Sequence, residues 1–80
     1  MRYIAWVSFP TINNNAGFEI FFVSNLPGEP DAFGPAPNGD YGYDKKSKAK
    51  LLNERQARRF IKDKEYCGSK PNTFGITRAT

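Results

Sequence analysis

A capped amphipathic segment between Asn53 and Gly68 constrains the fold of this chain more than any other part of it. Asn53 is a favoured helix N-cap, and Gln56 three residues later completes the pattern of a capping box. Gly68 can adopt the left-handed conformation that often follows a helix, and Pro71 prevents any continuation. These signals together predict an α-helix over residues 54–66.

The predicted helix has one apolar side and one basic side. At about 100° per residue, the apolar side is formed by Ala57, Phe60 and Ile61, with the stem of Lys64 and Cys67 at its edge. The opposite side carries Arg55, Arg58, Arg59 and Lys62. We therefore expect the helix to cover a sheet with its apolar side and to expose its basic side.

The segment before the helix admits two interpretations. In the first, residues 48–52 form a strand that runs directly into the helix. In the second, Asp44 caps a longer helix that begins with residues 45–50. Asn53 and Gln56 would then interrupt the apolar side of that longer helix, so we expect a strand at residues 48–52.

Three other segments have the composition of β-strands. Residues 2–9 and 17–24 are rich in β-branched and aromatic side chains, and residues 11–17 between them have turn chemistry, which predicts an antiparallel hairpin. Residues 73–80 alternate apolar with small or polar side chains. We expect a single α+β domain over residues 1–80, with a four-stranded sheet, the chain order β-β-β-α-β and one helix on one face.

Apolar side chains occupy both faces of the first two predicted strands, whereas one helix covers only one face of a small sheet. We expect the opposite face to keep Trp6, Phe21 and Val23. The structural explanation is that a loop, or a second copy of the chain in a homodimer, covers this face. The functional explanation is that the face is an exposed aromatic patch that binds a partner.

Residues 25–43 form a predicted loop with four prolines and four glycines, which excludes a regular helix or an interior strand. Its rings either fold onto the sheet or meet a partner, and its end can enter the third strand. The candidate aromatic contact patch consists of Trp6, Phe21, Phe33, Tyr41 and Tyr43.

Charge is distributed unevenly along the chain. Residues 1–44 contain one basic residue against five acids, whereas residues 45–80 contain eleven against three. This asymmetry predicts a basic surface suited to nucleic acid or to an acidic protein surface. Its candidate binding residues are Lys45, Lys46, Lys48, Lys50, Arg55, Arg58, Arg59 and Lys62. Alternatively, pairs between Glu54 and Arg58 and between Arg59 and Asp63 make the helix part a solvated surface.

Catalysis is not expected, because the chain lacks the side chains that usually perform it. There is no histidine, and the single cysteine, Cys67, lies near a helix C-terminus that disfavours its thiolate. We predict no catalytic residue, metal or cofactor. A lone cysteine favours a reducing, cytoplasmic setting, and the N-terminal apolar run is too short to span a membrane.

Two functional hypotheses follow. The first is a non-catalytic protein-binding module, and the alternative is a nucleic-acid-binding protein, although zinc-finger, RNP-like and helix-turn-helix signatures are missing. In size and layout, rather than in particular residues, the chain looks like the small accessory proteins of bacteriophages. That resemblance implies a viral inhibitor or modulator of a host protein.

Overall fold

The structure, a computed structural model, describes residues 1–11, 17–30, 32 and 40–79. In this part of the chain, four strands form one sheet and a single α-helix packs on it. The elements are β1 (Tyr3–Pro10), β2 (Phe18–Asn25), β3 (Gly42–Asp44), α1 (Glu54–Tyr66) and β4 (Phe74–Arg78). The predicted α+β class and the chain order β-β-β-α-β are confirmed.

The strand order across the sheet is β3-β2-β1-β4, and every neighbouring pair is antiparallel. The hairpin of β1 and β2 places Trp6 opposite Phe22. On its other side β1 pairs with β4, where Trp6 lies opposite Gly75. The predicted hairpin is therefore confirmed, and β1 is a central strand flanked on both sides.

The strand expected at residues 48–52 is wrong. The third strand is Gly42–Asp44, and Lys46–Lys48 forms a 3₁₀ turn. The backbone N–H of Lys50 donates to the carbonyl of Val23 in β2 at 2.8 Å, whereas Leu52 exchanges two bonds of 2.9 and 2.7 Å with Tyr3 in β1. Because this segment passes from one strand to the next within two residues, it forms no ladder with either.

Helix α1 begins and ends where its local signals predict. The Asn53 side chain accepts the N–H of Gln56 at 2.8 Å, and the Gln56 side chain accepts the N–H of Asn53 at 3.0 Å, which completes the capping box. Past the helix end, Gly68 has a φ of 79°, a left-handed conformation that costs glycine little.

The core lies between α1 and one face of the sheet. Its fully buried large side chains are Phe60 from the helix, Leu52 from the preceding segment and Val23 from β2. The Phe60 ring contacts the rings of Tyr41 and Phe74, with centroid distances of 5.2 and 6.4 Å. Among the described residues, one helix, the segment before it and one sheet face thus form the hydrophobic core, and the second face of the sheet contributes no residue to it.

Candidate functional site

The sheet face turned away from α1 carries a row of apolar side chains from β1 and β2. We call this surface the open face and define it by Ile4, Trp6, Phe18, Ile20 and Phe22. Phe18 is 69% exposed and Ile20 is 48% exposed, while the other three are half-buried. In the described part of the chain, the open face is thus an apolar surface in contact with solvent.

The pairing of β1 with β2 explains why these side chains gather. Directly opposite residues of an antiparallel pair share a face, so the pairing of Trp6 with Phe22 puts both rings on the open face. Around them lies a shallow depression of about 250 Å³, lined by Ile4, Trp6, Ile20, Phe22, Thr77 and Lys46. Lys46, from the 3₁₀ turn, is the charged side chain at its rim.

Trp6 lies across the backbone of β4 at Gly75. A Cβ atom built on Gly75 would be 2.7 to 2.9 Å from three atoms of the Trp6 indole. Real Cβ contacts are not that short, so only glycine at this position lets the ring lie in its observed place. The sequence alone did not show that Gly75 shapes this surface, because the cross-strand register was unknown.

We expect Gly75→Ala to destabilise the protein by about 1–3 kcal/mol, the usual cost of overpacking. The new methyl group would push the indole away from β4 and change its environment. Since Trp6 is the only tryptophan, its emission spectrum reports that movement directly. Urea unfolding followed by fluorescence measures both effects in one experiment.

The matched control is Thr77→Ser, on the same strand and the same face. Thr77 is exposed, and serine removes one methyl group without creating a clash. It should leave the emission maximum unchanged. If Gly75→Ala also leaves both the emission and the unfolding midpoint unchanged, the close contact between Trp6 and Gly75 does not exist in solution.

The expected placement of Phe21 and Val23 is corrected by the structure. Val7 points into the core and pairs with Phe21, so Phe21 lies on the helix side of the sheet, and Val23 is fully buried there. The residues of β2 that lie on the open face are instead Phe18, Ile20 and Phe22. Both alternating sets of that strand are apolar, so its sequence did not decide which set faces the helix.

The five predicted aromatic contact residues do not share one surface. Trp6 lies on the open face, whereas Phe21 and Tyr43 pack against the core and Tyr41 is buried. Phe33 lies outside the described residues. Among the four of these residues that the structure describes, Trp6 alone belongs to the open face.

Tyr41 and Tyr43 serve to hold their segment on the helix. The Tyr41 hydroxyl donates to the Asp63 carboxylate at 2.6 Å, and the Tyr43 hydroxyl donates to Asp40 at 2.8 Å. Lys64 contacts the same Asp40 oxygen at 3.2 Å and lies 5.0 Å from the centre of the Tyr43 ring. This network joins residues 40–43 to Asp63 and Lys64 of α1.

The network shifts the pKa values of its members in opposite directions. Burial, together with the hydrogen bond to Asp63, raises the pKa of Tyr41 above its usual range. Burial by itself would raise the pKa of Asp40. The hydrogen bonds that it accepts from the Tyr43 hydroxyl and the Tyr41 N–H, together with the charge of Lys64, outweigh burial and hold this pKa below its ordinary value. The folded protein therefore favours neutral tyrosines and an ionised Asp40.

The eight predicted basic residues are divided between different parts of the surface. Lys46 borders the open face, whereas the arginines of α1 lie in the helix layer on the other side of the sheet. Lys45, which precedes the 3₁₀ turn, and Lys48, which ends it, are both exposed. Four of the eight residues, Arg55, Arg58, Arg59 and Lys62, line one groove, and Lys46 lines a different depression.

Ion pairs neutralise part of the basic side of α1, as the spacing predicts. Arg58 contacts Glu54 at 2.9 Å, and Arg59 contacts Asp63 at 3.0 Å. Lys50 contacts Glu29 at 3.5 Å. Neither Arg55 nor Lys62 forms an ion pair with any described residue.

Arg55 and Lys62 line a groove that runs between α1 and β4. The α1–β4 groove has a volume of about 700 Å³ and is lined by Glu54, Arg55, Arg58, Arg59, Ile61, Lys62 and Ile76. Ile61 and Ile76 give it an apolar floor, and the basic residues of α1 form its wall. The basic wall was predictable from the spacing of residues along the helix, but the floor was not, because it combines residues from two separate elements.

Comparison with known proteins gives no further guide to the function of this surface. No protein family, curated protein or solved structure matches the chain. Within the described ranges, none of the helices has the length and apolar character needed to cross a membrane. The same residues contain no group of three or more side chains suited to hold a metal ion.

Proposed function

We propose that this chain is a non-catalytic protein-binding module that docks its open face onto an apolar surface of another protein. The observation that carries the proposal is the row of five apolar side chains, three of them aromatic, on a sheet face that α1 does not cover. Aromatic residues are enriched where proteins bind each other. A rigid sheet also presents them without a large loss of conformational entropy.

The charge of the surroundings favours a protein partner over nucleic acid. Binding of nucleic acid depends on several cations that contact phosphates. The depression on the open face has Lys46 at its rim, whereas Arg55 and Lys62 lie in the helix layer behind the sheet. A strand of nucleic acid stacked on Trp6 would therefore not reach the unpaired cations of α1.

A module of this kind acts by occupying a surface of its partner. In the cytoplasm, where its single cysteine stays a thiol, it would inhibit or modulate the protein or complex that it binds. This role is the one implied by the resemblance, in size and layout only, to the small accessory proteins of bacteriophages. It requires a stable fold and an apolar contact surface, and it requires no catalytic group.

The test compares the wild type with the double variant Phe18→Thr/Ile20→Thr. Both side chains are largely exposed, so threonine keeps the strand and removes apolar contact area. The matched control, Arg55→Gln/Lys62→Gln, changes two exposed residues in the helix layer. Each immobilised protein is exposed to nuclease-treated lysate, and each captured protein is then purified and titrated while Trp6 emission is recorded.

We expect a purified partner to shift Trp6 emission, and we expect the open-face variant to lose at least tenfold in affinity while the control keeps it. A factor of ten corresponds to about 1.4 kcal/mol, less than the burial of two apolar side chains yields. Equal binding by both variants contradicts the proposal. So does capture that nuclease abolishes, or a wild-type dimer in sedimentation that the open-face variant converts to monomer.

A further inference from the structure

Strand β4 forms one edge of the described sheet. It pairs with β1 on its inner side, and the sheet order places no described strand on its outer side. At five residues it is longer than β3, the three-residue strand at the opposite edge. An edge strand has backbone groups that a further strand can bond.

The hydrogen-bond pattern shows which residues of β4 direct those groups outward. The N–H of Ala79 donates inward to the carbonyl of Arg2 at 2.8 Å. In an antiparallel pair, inward and outward residues alternate, so Thr77 also bonds β1 and Ile76 turns its N–H and C=O to the outer edge. Tyr3 agrees with this alternation, because its own backbone groups bond Leu52 on the far side of β1.

The α1–β4 groove lies along the side of β4 that faces α1. Ile76 contributes its side chain to the groove floor, and its backbone belongs to the edge beside it. Ile76 is 37% exposed, so both parts are within reach of a ligand. One residue thus joins an apolar contact to an outward-facing backbone donor and acceptor.

The wall of the groove carries unneutralised positive charge. Arg55 and Lys62 have no ion-pair partner among the described residues, and Arg58 shares its charge with the exposed Glu54. Arg55 and Lys62 are seven residues apart, about 10 Å along the helix axis. An elongated ligand with more than one negative charge fits this spacing better than a single small anion.

We propose that the α1–β4 groove binds an extended acidic peptide segment, which pairs with the outer edge of β4 as a fifth strand. Alternate side chains of a strand point to one face, so one set of the peptide's side chains lies over Ile61 and Ile76 and reaches the cations of α1. Acidic residues in that set pair with Arg55 and Lys62. Nucleic acid does not reproduce this arrangement, because it has no backbone amide to pair with a strand edge.

This inference uses a different surface from the proposed function and does not rest on it. The open face lies on one side of the sheet, and the groove lies in the helix layer on the other. The two surfaces can therefore be occupied at the same time, and a variant of one serves as a control for the other.

The experiment titrates the ¹⁵N-labelled protein with a short end-blocked peptide in which glutamate alternates with valine, and it follows amide signals by NMR. The comparison peptides are one that replaces each glutamate with lysine and one with alternate backbone nitrogens methylated, which blocks strand pairing. We expect the acidic peptide to shift the Ile76 amide and slow its hydrogen exchange. The lysine and N-methylated peptides should leave that amide unchanged.

Charge variants test the wall of the groove. Arg55→Gln/Lys62→Gln should weaken binding of the acidic peptide about tenfold, the combined effect of two exposed ion pairs. Lys45→Gln/Lys48→Gln makes the same change of net charge away from the groove and should leave the affinity unchanged. The open-face variant Phe18→Thr/Ile20→Thr should also bind the peptide like the wild type.

Three results with the peptides, and one with an oligonucleotide, would overturn the inference. The first is an Ile76 amide that stays unperturbed at the highest concentration of acidic peptide, and the second is equal binding of the N-methylated peptide. The third is equal loss of affinity in the two charge variants, which would reduce the effect to net charge. If a single-stranded oligonucleotide binds the same wall without protecting the Ile76 amide, the groove is a nucleic-acid surface instead.

Discussion

Replacing Phe60 with alanine is expected to lower the free energy of unfolding by about 3–5 kcal/mol, the range for truncating a buried phenylalanine. Phe60 is completely buried and is among the largest side chains in the core. Its ring joins α1 to the sheet, because it contacts Tyr41 before β3 and Phe74 in β4. Alanine would leave a cavity in place of the ring, and the helix would lose its contacts with Tyr41 and with Phe74.

The size of this effect is large against the total stability of the domain. For 80 residues, the usual range of about 0.05 to 0.15 kcal/mol per residue gives about 4–12 kcal/mol. Urea unfolding measures the loss. The control is Tyr66→Ala on the same helix, where the ring is 93% exposed and truncation should cost less than about 0.5 kcal/mol. Similar losses in the two variants would mean that α1 does not pack on the sheet through Phe60.

Helix α1 was predictable in full because every signal that defines it is local. The cap, the apolar spacing and the terminating Gly68 all lie within one short stretch of chain, and no distant residue is needed to interpret them. The two ion pairs on its surface were predictable for the same reason, since residues four apart meet on any helix. Their neighbours Arg55 and Lys62, which form no ion pair with a described residue, line the groove.

The faces of the sheet were predictable only in part. In β1, Val7 and Trp6 are adjacent in sequence and therefore lie on opposite faces of any regular strand, as the structure shows. In β2, Phe21 and Phe22 are equally apolar, so either could have faced the helix. Only the pairing of β1 with β2 decides between them, and that pairing is set by the fold rather than by composition.

The third strand was expected at residues 48–52, with the end of the preceding loop able to enter it, whereas the structure places it at Gly42–Asp44. The strand is short and follows a segment rich in proline and glycine, so its sequence carries little periodic signal. It is fixed by the hydrogen bond from Tyr43 to Asp40 and by Lys64, which reaches Asp40 from the helix. Lys64 and the neighbouring strand β2 are far from this segment in sequence. The groove floor was not predicted for the same reason, because it combines Ile61 and Ile76 from separate elements.

Leu52 was expected to end a strand, and the structure gives it a different structural role. It lies between the 3₁₀ turn and α1, with its side chain fully buried in the core. Its N–H and C=O both bond Tyr3, so a single residue attaches this connection to the central strand. Leu51, next to it, is 53% exposed.

We expect Leu52→Ala to lower the free energy of unfolding by about 2–5 kcal/mol, while Leu51→Ala changes it by less than about 0.5 kcal/mol. The two variants remove the same atoms from adjacent positions. The difference between their free energies of unfolding therefore reports the burial of Leu52 rather than the loss of a leucine as such. Urea unfolding of both proteins measures this difference.

A regular strand at residues 48–52 would instead alternate Lys48, Lys50 and Leu52 with Ala49 and Leu51. If that strand formed in solution, hydrogen exchange would be slowed only at alternate amides along it. In the observed structure the consecutive amides of Ala49 and Lys50 are both hydrogen-bonded, to the carbonyls of Lys46 and Val23, so both should exchange slowly. Alanine removes the buried side chain of Leu52 but keeps its two backbone hydrogen bonds to Tyr3. The loss of stability therefore measures how much the buried side chain contributes to holding the start of α1 on the sheet.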